Sequence, residues 1–353
     1  MAKKIIYLMI MFFISSISWS ADLKLRSDHP QQYVVKKGDT LWDISAVFLK
    51  SPWLWPEIWQ VNPQIENPHL IYPGDVLELA FCDGKPCLKR AGNSGRTVKL
   101  SPNVRTSMND HSIPAIPLDV IRPFLSRPRV VAGDTLELAP YVVASQDEHL
   151  IAGAENKVYI RGINENEQQH RYMIFRSGEV YRDAPVDEDD LGEVLGYEAL
   201  YVADAEMQRF GDPSTALITL SKREVLIGDR LLPEEEPINE QFIPHVPDHE
   251  INGKIISVID GVSQIGQYQI VVLNLGDEAG LEPGHVLSIH ESGRLIRDPI
   301  AYEQQHFGLT EMIDLPEERI GELMVFRTFS KLSYALVMDL ERPAHIYDAV
   351  HLP

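Results

Sequence analysis

The sequence predicts a multidomain chain, with an N-terminal βααβ module followed by two tandem mainly-β modules of the barrel or sandwich kind. Three observations predict it. At 353 residues, 44% of them hydrophobic, the chain is long enough for two or three buried cores. Helical spacing of apolar residues is concentrated between Leu41 and Val61, whereas short strand-like runs between Gly, Asp and Pro turns dominate after Pro117. Several segments of the C-terminal two thirds also recur in the same order about 120 residues later.

The chain opens with Lys3-Lys4, the unbroken apolar run Ile5–Ile14, and Ser18 and Ser20 ahead of Ala21. This is the layout of a signal peptide over residues 1–20, a retained N-terminal anchor being the alternative. The cleavage point carries no Cys for a lipid anchor, and no other stretch reaches the ~18 apolar residues of a membrane helix. The mature protein is therefore expected in the periplasm, soluble or peripheral to a membrane. The chain holds 32 basic and 52 acidic residues, a net charge of −20. From Asp22 to Ser112 there are 11 basic and 10 acidic residues, and from Ile113 onward 19 and 42. Acidity of that size in the C-terminal part excludes nucleic acid as a partner and serves solubility, or a basic partner.

Residues 31–80 carry the densest pattern. Gln32–Val35 reads as a strand, and Gly38-Asp39-Thr40 as a turn with Asp39 or Thr40 capping a helix. Leu41, Ile44 and Phe48 then fall on one helical face. Pro52 opens a second helix, Leu54, Ile58 and Val61 line it, and Asn62-Pro63 ends it. Pro73-Gly74-Asp75 turns the chain into a closing strand, Val76–Ala80.

Tyr33-Val34-Val35, Gly38-Asp39-Thr40-Leu41, Ile44-Ser45, Asn62-Pro63, Ile65 and Ile71-Tyr72-Pro73-Gly74, at these spacings, resemble a LysM domain. The resemblance implies binding of peptidoglycan through N-acetylglucosamine-containing glycan strands, in a shallow groove between two loops. Gly38, Asp39, Thr40 and Leu41 would form one side, and Asn62, Ile65, Ile71, Tyr72 and Pro73 the other. Polar groups at Gly38–Thr40 suit the sugar amide, and Leu41 and Ile65 its acetyl methyl. One such module implies affinity of roughly micromolar to millimolar. Trp42, Trp53, Trp55 and Trp59 are expected to fill the small core, with stacking on sugar rings as the alternative. The Trp- and Pro-rich second helix departs from the family pattern.

Cys82 and Cys87, in FCDGKPC, predict a small-loop disulfide in an oxidising compartment, two free thiols being the alternative. Residues 81–116 read as a linker around it. Beyond it the expected β modules span 117–233 and 242–353, hinged at Glu234–Asn239. Four paired segments support the repeat: Leu191–Leu195 with Ile320–Met324, Ser214–Ile218 with Ser333–Val337, Gly228–Leu231 with Tyr347–Val350, and Ser177–Asp183 with Ser292–Asp298. Val271–Asp277 followed by Gly280–Leu287 resembles the C-terminal domain of the flagellar assembly proteins called FlgT. The whole layout resembles the secretin-associated proteins of type IV pili. It implies a wall-bound protein peripheral to the outer membrane, with a secretin as partner.

No catalytic pattern emerges. Gly-x-Ser-x-Gly and His-Glu-x-x-His are absent, and the twelve His residues are scattered, so neither metal nor cofactor is expected. The acidic runs Asp187–Asp190 and Glu234–Glu236 read as solvated loops. A non-catalytic tether is the reading. The alternatives are a LysM-targeted wall-remodelling enzyme and a flagellar basal-body accessory protein.

Overall fold

A computed structural model describes residues 23–60, 71–91, 113–126, 129–133, 135–146, 151–163, 169–185, 190–234, 242–259, 264–293, 295–297 and 312–353. The signal peptide, Asn62, Ile65 and all of the expected hinge except Glu234 lie outside them. The chain divides into two compact units, residues 1–113 and 114–353.

The first unit holds strand β1 (Gln32–Val34), helix α1 (Leu41–Phe48), a 3-10 turn at Pro52–Leu54, helix α2 (Trp55–Gln60), and strands β2 (Val76–Cys82) and β3 (Lys85–Arg90). Thr40 is the N-cap of α1. Its hydroxyl accepts the Asp43 N–H at 3.1 Å, while Asp43 Oδ2 accepts the Thr40 N–H at 3.0 Å, the reciprocal bonding of a capping box. Leu41, Ile44, Phe48 and Ile58 are wholly buried, and Trp42, Trp55 and Trp59 are each 2% exposed. These three tryptophans therefore build the core, as a module this small requires.

The linker expected at 81–116 is corrected here. Strand β3 pairs along β2 from Leu77↔Arg90 to Cys82↔Lys85, giving a three-stranded sheet β1–β2–β3. Asp83 and Gly84, at φ 49° and 81°, make the turn. Asp-Gly with both residues left-handed is the tight hairpin turn whose twist matches that of the strands. A disulfide joins Cys82 to Cys87 across it. Helix α2 packs against β3, where Leu88 is fully buried, so the extra strand covers the Trp-rich helix.

The second unit is mainly β. Helix α3 (Leu118–Ser126) and strand β4 (Arg129–Val131) precede a one-turn helix α4 (Thr135–Leu138). Neither helix follows from the strand-like runs expected after Pro117. Gly133 and the Thr135 N–H bond to Ala132 O turn the chain there, and α4 buries only Leu136.

Strands β5 (Tyr141–Ser145), β7 (Lys157–Arg161), β8 (Arg171–Arg182), β9 (Val194–Arg209), β10 (Ser214–Ser221) and β12 (Arg230–Pro233) form one sheet, with β4 added on β9. The β9–β10 pairing closes the six into a ring, β5–β7–β10–β9–β8–β12. The short strands β6 (Ile151–Ala152) and β11 (Val225–Leu226) pair beside it. Strands β13 (Asn252–Val258), β15 (Ile270–Leu273), β16 (Val286–Glu291), β19 (Glu318–Thr328), β20 (Ser333–Leu340) and β22 (Ala349–His351) close a second barrel, β13–β15–β20–β19–β16–β22. Beside it, β14 (Gln264–Ile265) pairs with β21 (Ala344–His345), and β17 (Leu295–Arg297) with β18 (Met312–Asp314).

The two rings have the same order, strand for strand. Registers agree as well: Ser214 faces Ile160 on β7 as Ser333 faces Leu273 on β15. Each barrel closes on its own apolar interior, Val158, Ile160, Ile174 and Ile218 in the first and Val271, Leu273, Leu323 and Val337 in the second. Three of the four paired segments fall on equivalent positions. The fourth is corrected. Leu191–Leu195 enters β9, whereas Leu323 pairs with Val337 as Ala205 pairs with Ile218, about ten residues further along. The shared Gly-Glu-apolar pattern has no common place in the fold, since Gly192-Glu193 precede β9 and Gly321-Glu322 lie within β19.

Strands β19 and β20 are buried on both faces. Met324, Phe326, Tyr334 and Leu336 are 0% exposed although Leu323, Val325, Ala335 and Val337 already fill the interior. Helix α3 packs over β19, and Phe124 O accepts a bond from Arg327 Nη1 at 2.8 Å. Continuous apolar strands such as Leu-Met-Val-Phe and Tyr-Ala-Leu-Val-Met are the sequence form of two-sided burial.

Candidate glycan-binding site

The two loops named from the sequence lie side by side in the first unit. Val35 receives the Gly74 N–H at 2.8 Å and donates its own to Asp75 O at 2.9 Å, which ties Lys36–Thr40 to Ile71–Asp75. Gly38 stands at φ 97°, with nothing within 4 Å of where a Cβ would be. A side chain there is strained by the backbone, not by crowding.

Asp39 shapes the first loop from inside. Its Oδ2 accepts the Lys36 N–H at 2.8 Å and the Tyr33 hydroxyl at 2.9 Å. Burial, and then Asp39 itself, push the Tyr33 hydroxyl up to about 12, so it stays a proton donor to Asp39 at any physiological pH. On the second loop, Asp75 Oδ2 accepts the Tyr72 N–H at 3.1 Å and Asp75 N–H bonds Tyr72 O at 3.0 Å.

The predicted residues therefore divide by burial. Gly38 and Tyr72 are exposed, Asp39 and Pro73 half-buried. Thr40, Leu41 and Ile71 are 3%, 0% and 0% exposed. The expectation that Leu41 meets an acetyl methyl is corrected: its side chain is spent inside the core, because the helix it opens turns that face inward. Lys36 and Lys37, exposed on the same loop, went unnamed in the sequence reading, although two adjacent lysines before the turn marked them.

Residues 33–79 match the LysM domain. The LysM domain is a peptidoglycan- and carbohydrate-binding unit. Over 60 residues the chain is also 40% identical to the uncharacterized protein YqbP of Bacillus subtilis (strain 168), covering 14% of this chain. The match takes in 27% of that relative, so the similarity spans about a quarter of its length. Among the described residues no helix is long and apolar enough to cross a membrane.

Outside the LysM domain, folding gathers groups that lie apart in sequence. His245, Glu282 and His285 bring one donor atom each within 4.8 Å of one another. His285 is 5% exposed, and burial followed by the neighbouring His245 holds its proton affinity below the ordinary imidazole value. Its Nδ1 accepts the Glu282 N–H at 3.0 Å, which puts the ring proton on Nε2. That bond engages His285 inside the turn, so the cluster reads as a turn lock. Glu322 has the raised proton affinity of a general acid: burial brings its carboxyl up to about 7 against the opposing pull of Arg319. At 4% exposed, it is closed to substrate.

Proposed function

We propose that the protein is a non-catalytic tether of the bacterial envelope. The LysM domain holds peptidoglycan, and the two barrels hold an outer-membrane assembly, with a type IV pilus secretin as the partner, in the manner of TsaP. The protein would act in the periplasm after loss of its leader, peripheral to the outer membrane. In the LysM groove, Gly38, Asp39, Tyr72 and Pro73 would meet N-acetylglucosamine-containing strands. Thr40, Leu41 and Ile71 support them from beneath, and Asn62 and Ile65 complete the far wall.

The observation that carries the reading is what the barrels do with the charges they bury. Asp229 and Asp348, each 4% exposed, accept backbone N–H groups of the turns that end each barrel. Asp229 also takes Arg176 in a paired contact at 2.8 and 2.9 Å. Carboxylates bonded this way are spent on holding the turns, and their burial closes them to any substrate. Two acidic barrels built around fold-holding carboxylates support a binding role.

The test has two arms. Sedimentation with purified sacculi should require the LysM domain, and binding that survives loss of residues 31–80 would end the wall claim. The full chain, used as bait against detergent-solubilised outer membranes, should recover a secretin. Flagellar ring proteins in its place would favour the basal-body alternative, and a clearing band on a peptidoglycan gel would favour the enzyme.

A further inference from the structure

The first barrel carries an arm, the far part of the β8–β9 hairpin, where Ser177 pairs Ala199, Tyr181 pairs Gly196 and Arg182 pairs Val194. This arm is seated on the second barrel. Asp183 Oδ1 accepts from Asn274 Nδ2 at 2.7 Å, and Glu193 Oε1 meets Lys331 Nζ at 2.6 Å. Tyr181, 5% exposed, lies against fully buried Tyr334, and a Cβ at Gly196 would stand 3.5 Å from Leu332. The seat is the turn joining β19 to β20, where Phe329 meets the Tyr334 ring edge-on at 5.1 Å.

The second barrel carries the same arm in the same place. Phe175 opposes Arg230 on β8 as His290 opposes Ala349 on β16, so the hairpin β17–β18 continues from β16 as the first arm continues from β8, and Ile296 holds the position of Tyr181. Here nothing described covers it. Ile296, Met312, Ile313 and Leu315 are 38, 52, 40 and 37% exposed. Ile296 and Ile313 pair across one face of this two-stranded ribbon and Leu315 follows, an apolar contact surface.

The first barrel has the matching seat. The Phe210–Pro213 turn joins β9 to β10 as Phe329–Leu332 joins β19 to β20. Phe210 meets the exposed His170 ring edge-on at 5.4 Å, and at the position of Asn274 stands Arg161, half-exposed beside Asp212 at 3.0 Å. Among the described residues no such arm lies on this seat, since its own arm points onward to the second barrel.

We propose that the second arm docks on the first barrel of another copy of this chain, repeating between molecules the arm-on-barrel contact that joins the barrels within one. Such a contact is head-to-tail: each copy gives one arm and receives one, so assembly proceeds to a ring or an open row. This inference is independent of the glycan reading and of the secretin.

Sedimentation velocity of the full chain, from about 1 to 100 μM, should show concentration-dependent self-association in the range of small interfaces. Ile313→Asp, placed on the exposed ribbon, should weaken it at least about tenfold with an unchanged thermal midpoint. A photo-crosslinking residue at Leu315, in a mixture of two differently tagged preparations, should join the arm of one copy to the 210–213 turn of the other. A chain monomeric throughout this range, crosslinks to any other face, or crosslinks from envelope extracts only to a different protein would overturn the proposal.

Discussion

Asp229 and Asp348 are one residue used twice. Asp229 Oδ2 takes the Leu226 N–H at 2.8 Å and Asp348 Oδ2 the His345 N–H at 2.7 Å, three residues back in each case. Their carbonyls take the N–H of Val142 at 2.9 Å and of Ile255 at 3.0 Å, in equivalent first strands. The preceding Gly228 and Tyr347 are both left-handed, at φ 95° and 75°. The barrels diverge at the other carboxylate oxygen. Arg176 fills it in the first, and the Ser292 N–H, at 3.1 Å, in the second.

That divergence sets unequal costs. Asp229→Ala should cost about 2–4 kcal/mol, since it strands a turn N–H and the partly buried Arg176. Asp348→Ala should cost about 1–3 kcal/mol, having no guanidinium to strand. Urea unfolding of both variants checks the order, and equal costs would show that Arg176 adds nothing.

Reducing the Cys82–Cys87 disulfide, or Cys87→Ser, frees β3 from the edge of β2. For so short a loop the chain-entropy cost is about 2 kcal/mol. Because α2 packs on β3, the emission of Trp55 and Trp59 should shift to longer wavelength on reduction. An unshifted spectrum would show that β3 holds without the bridge.

Glu322 gives the second barrel a pH dependence of definite sign. Its folded carboxyl titrates near 7 against 4.5 ordinarily, so the folded state binds the proton more tightly than the unfolded. Its contribution is neutral below about 4.5, turns into a growing penalty as pH rises from there, and levels off above about 7. Glu322→Gln should stabilise the protein at pH 8, by up to about 3 kcal/mol, and do little at pH 4. Thermal melts across pH 4–8 would show the two curves converging in acid.

In the LysM domain, Asp39→Ala removes the bonds to Lys36 N and Tyr33 Oη that shape the loop. Glycan affinity should fall about tenfold, measured by titration with chitin oligosaccharides, with stability falling by about 1 kcal/mol. Thr40→Ala should cost about 1–2 kcal/mol through the lost cap, with a smaller effect on glycan binding. A reversed order would place Thr40, not Asp39, at the sugar.

Much of the LysM domain was legible because its signals are local. Gly38, the cap at Thr40, the helical spacing of Leu41, Ile44 and Phe48, and the Pro73-Gly74 turn each act within a few residues. The third strand was legible in principle, through Asp83-Gly84, and was read as linker because Lys85–Arg90 has little apolar pattern of its own. Accessibility was not legible. Leu41 and Tyr72 stand equally close to the groove in sequence, and only packing puts one at 0% exposure and the other at 37%.

The amino-acid sequence alone determined the glycan-type module, the strand-rich C-terminal texture and the recurrence of segments within it, because capping, turn chemistry and apolar period are short-range. Only the tertiary structure decided that the recurring segments close two barrels of one strand order, since ring closure depends on pairings such as β9 with β10 and β13 with β22, and the β13–β22 partners lie almost a hundred residues apart. It alone also decided which arm is covered. Tyr181 and Ile296 occupy equivalent positions, and one is buried because a second barrel follows the first in the chain, while no described part of the chain covers the other.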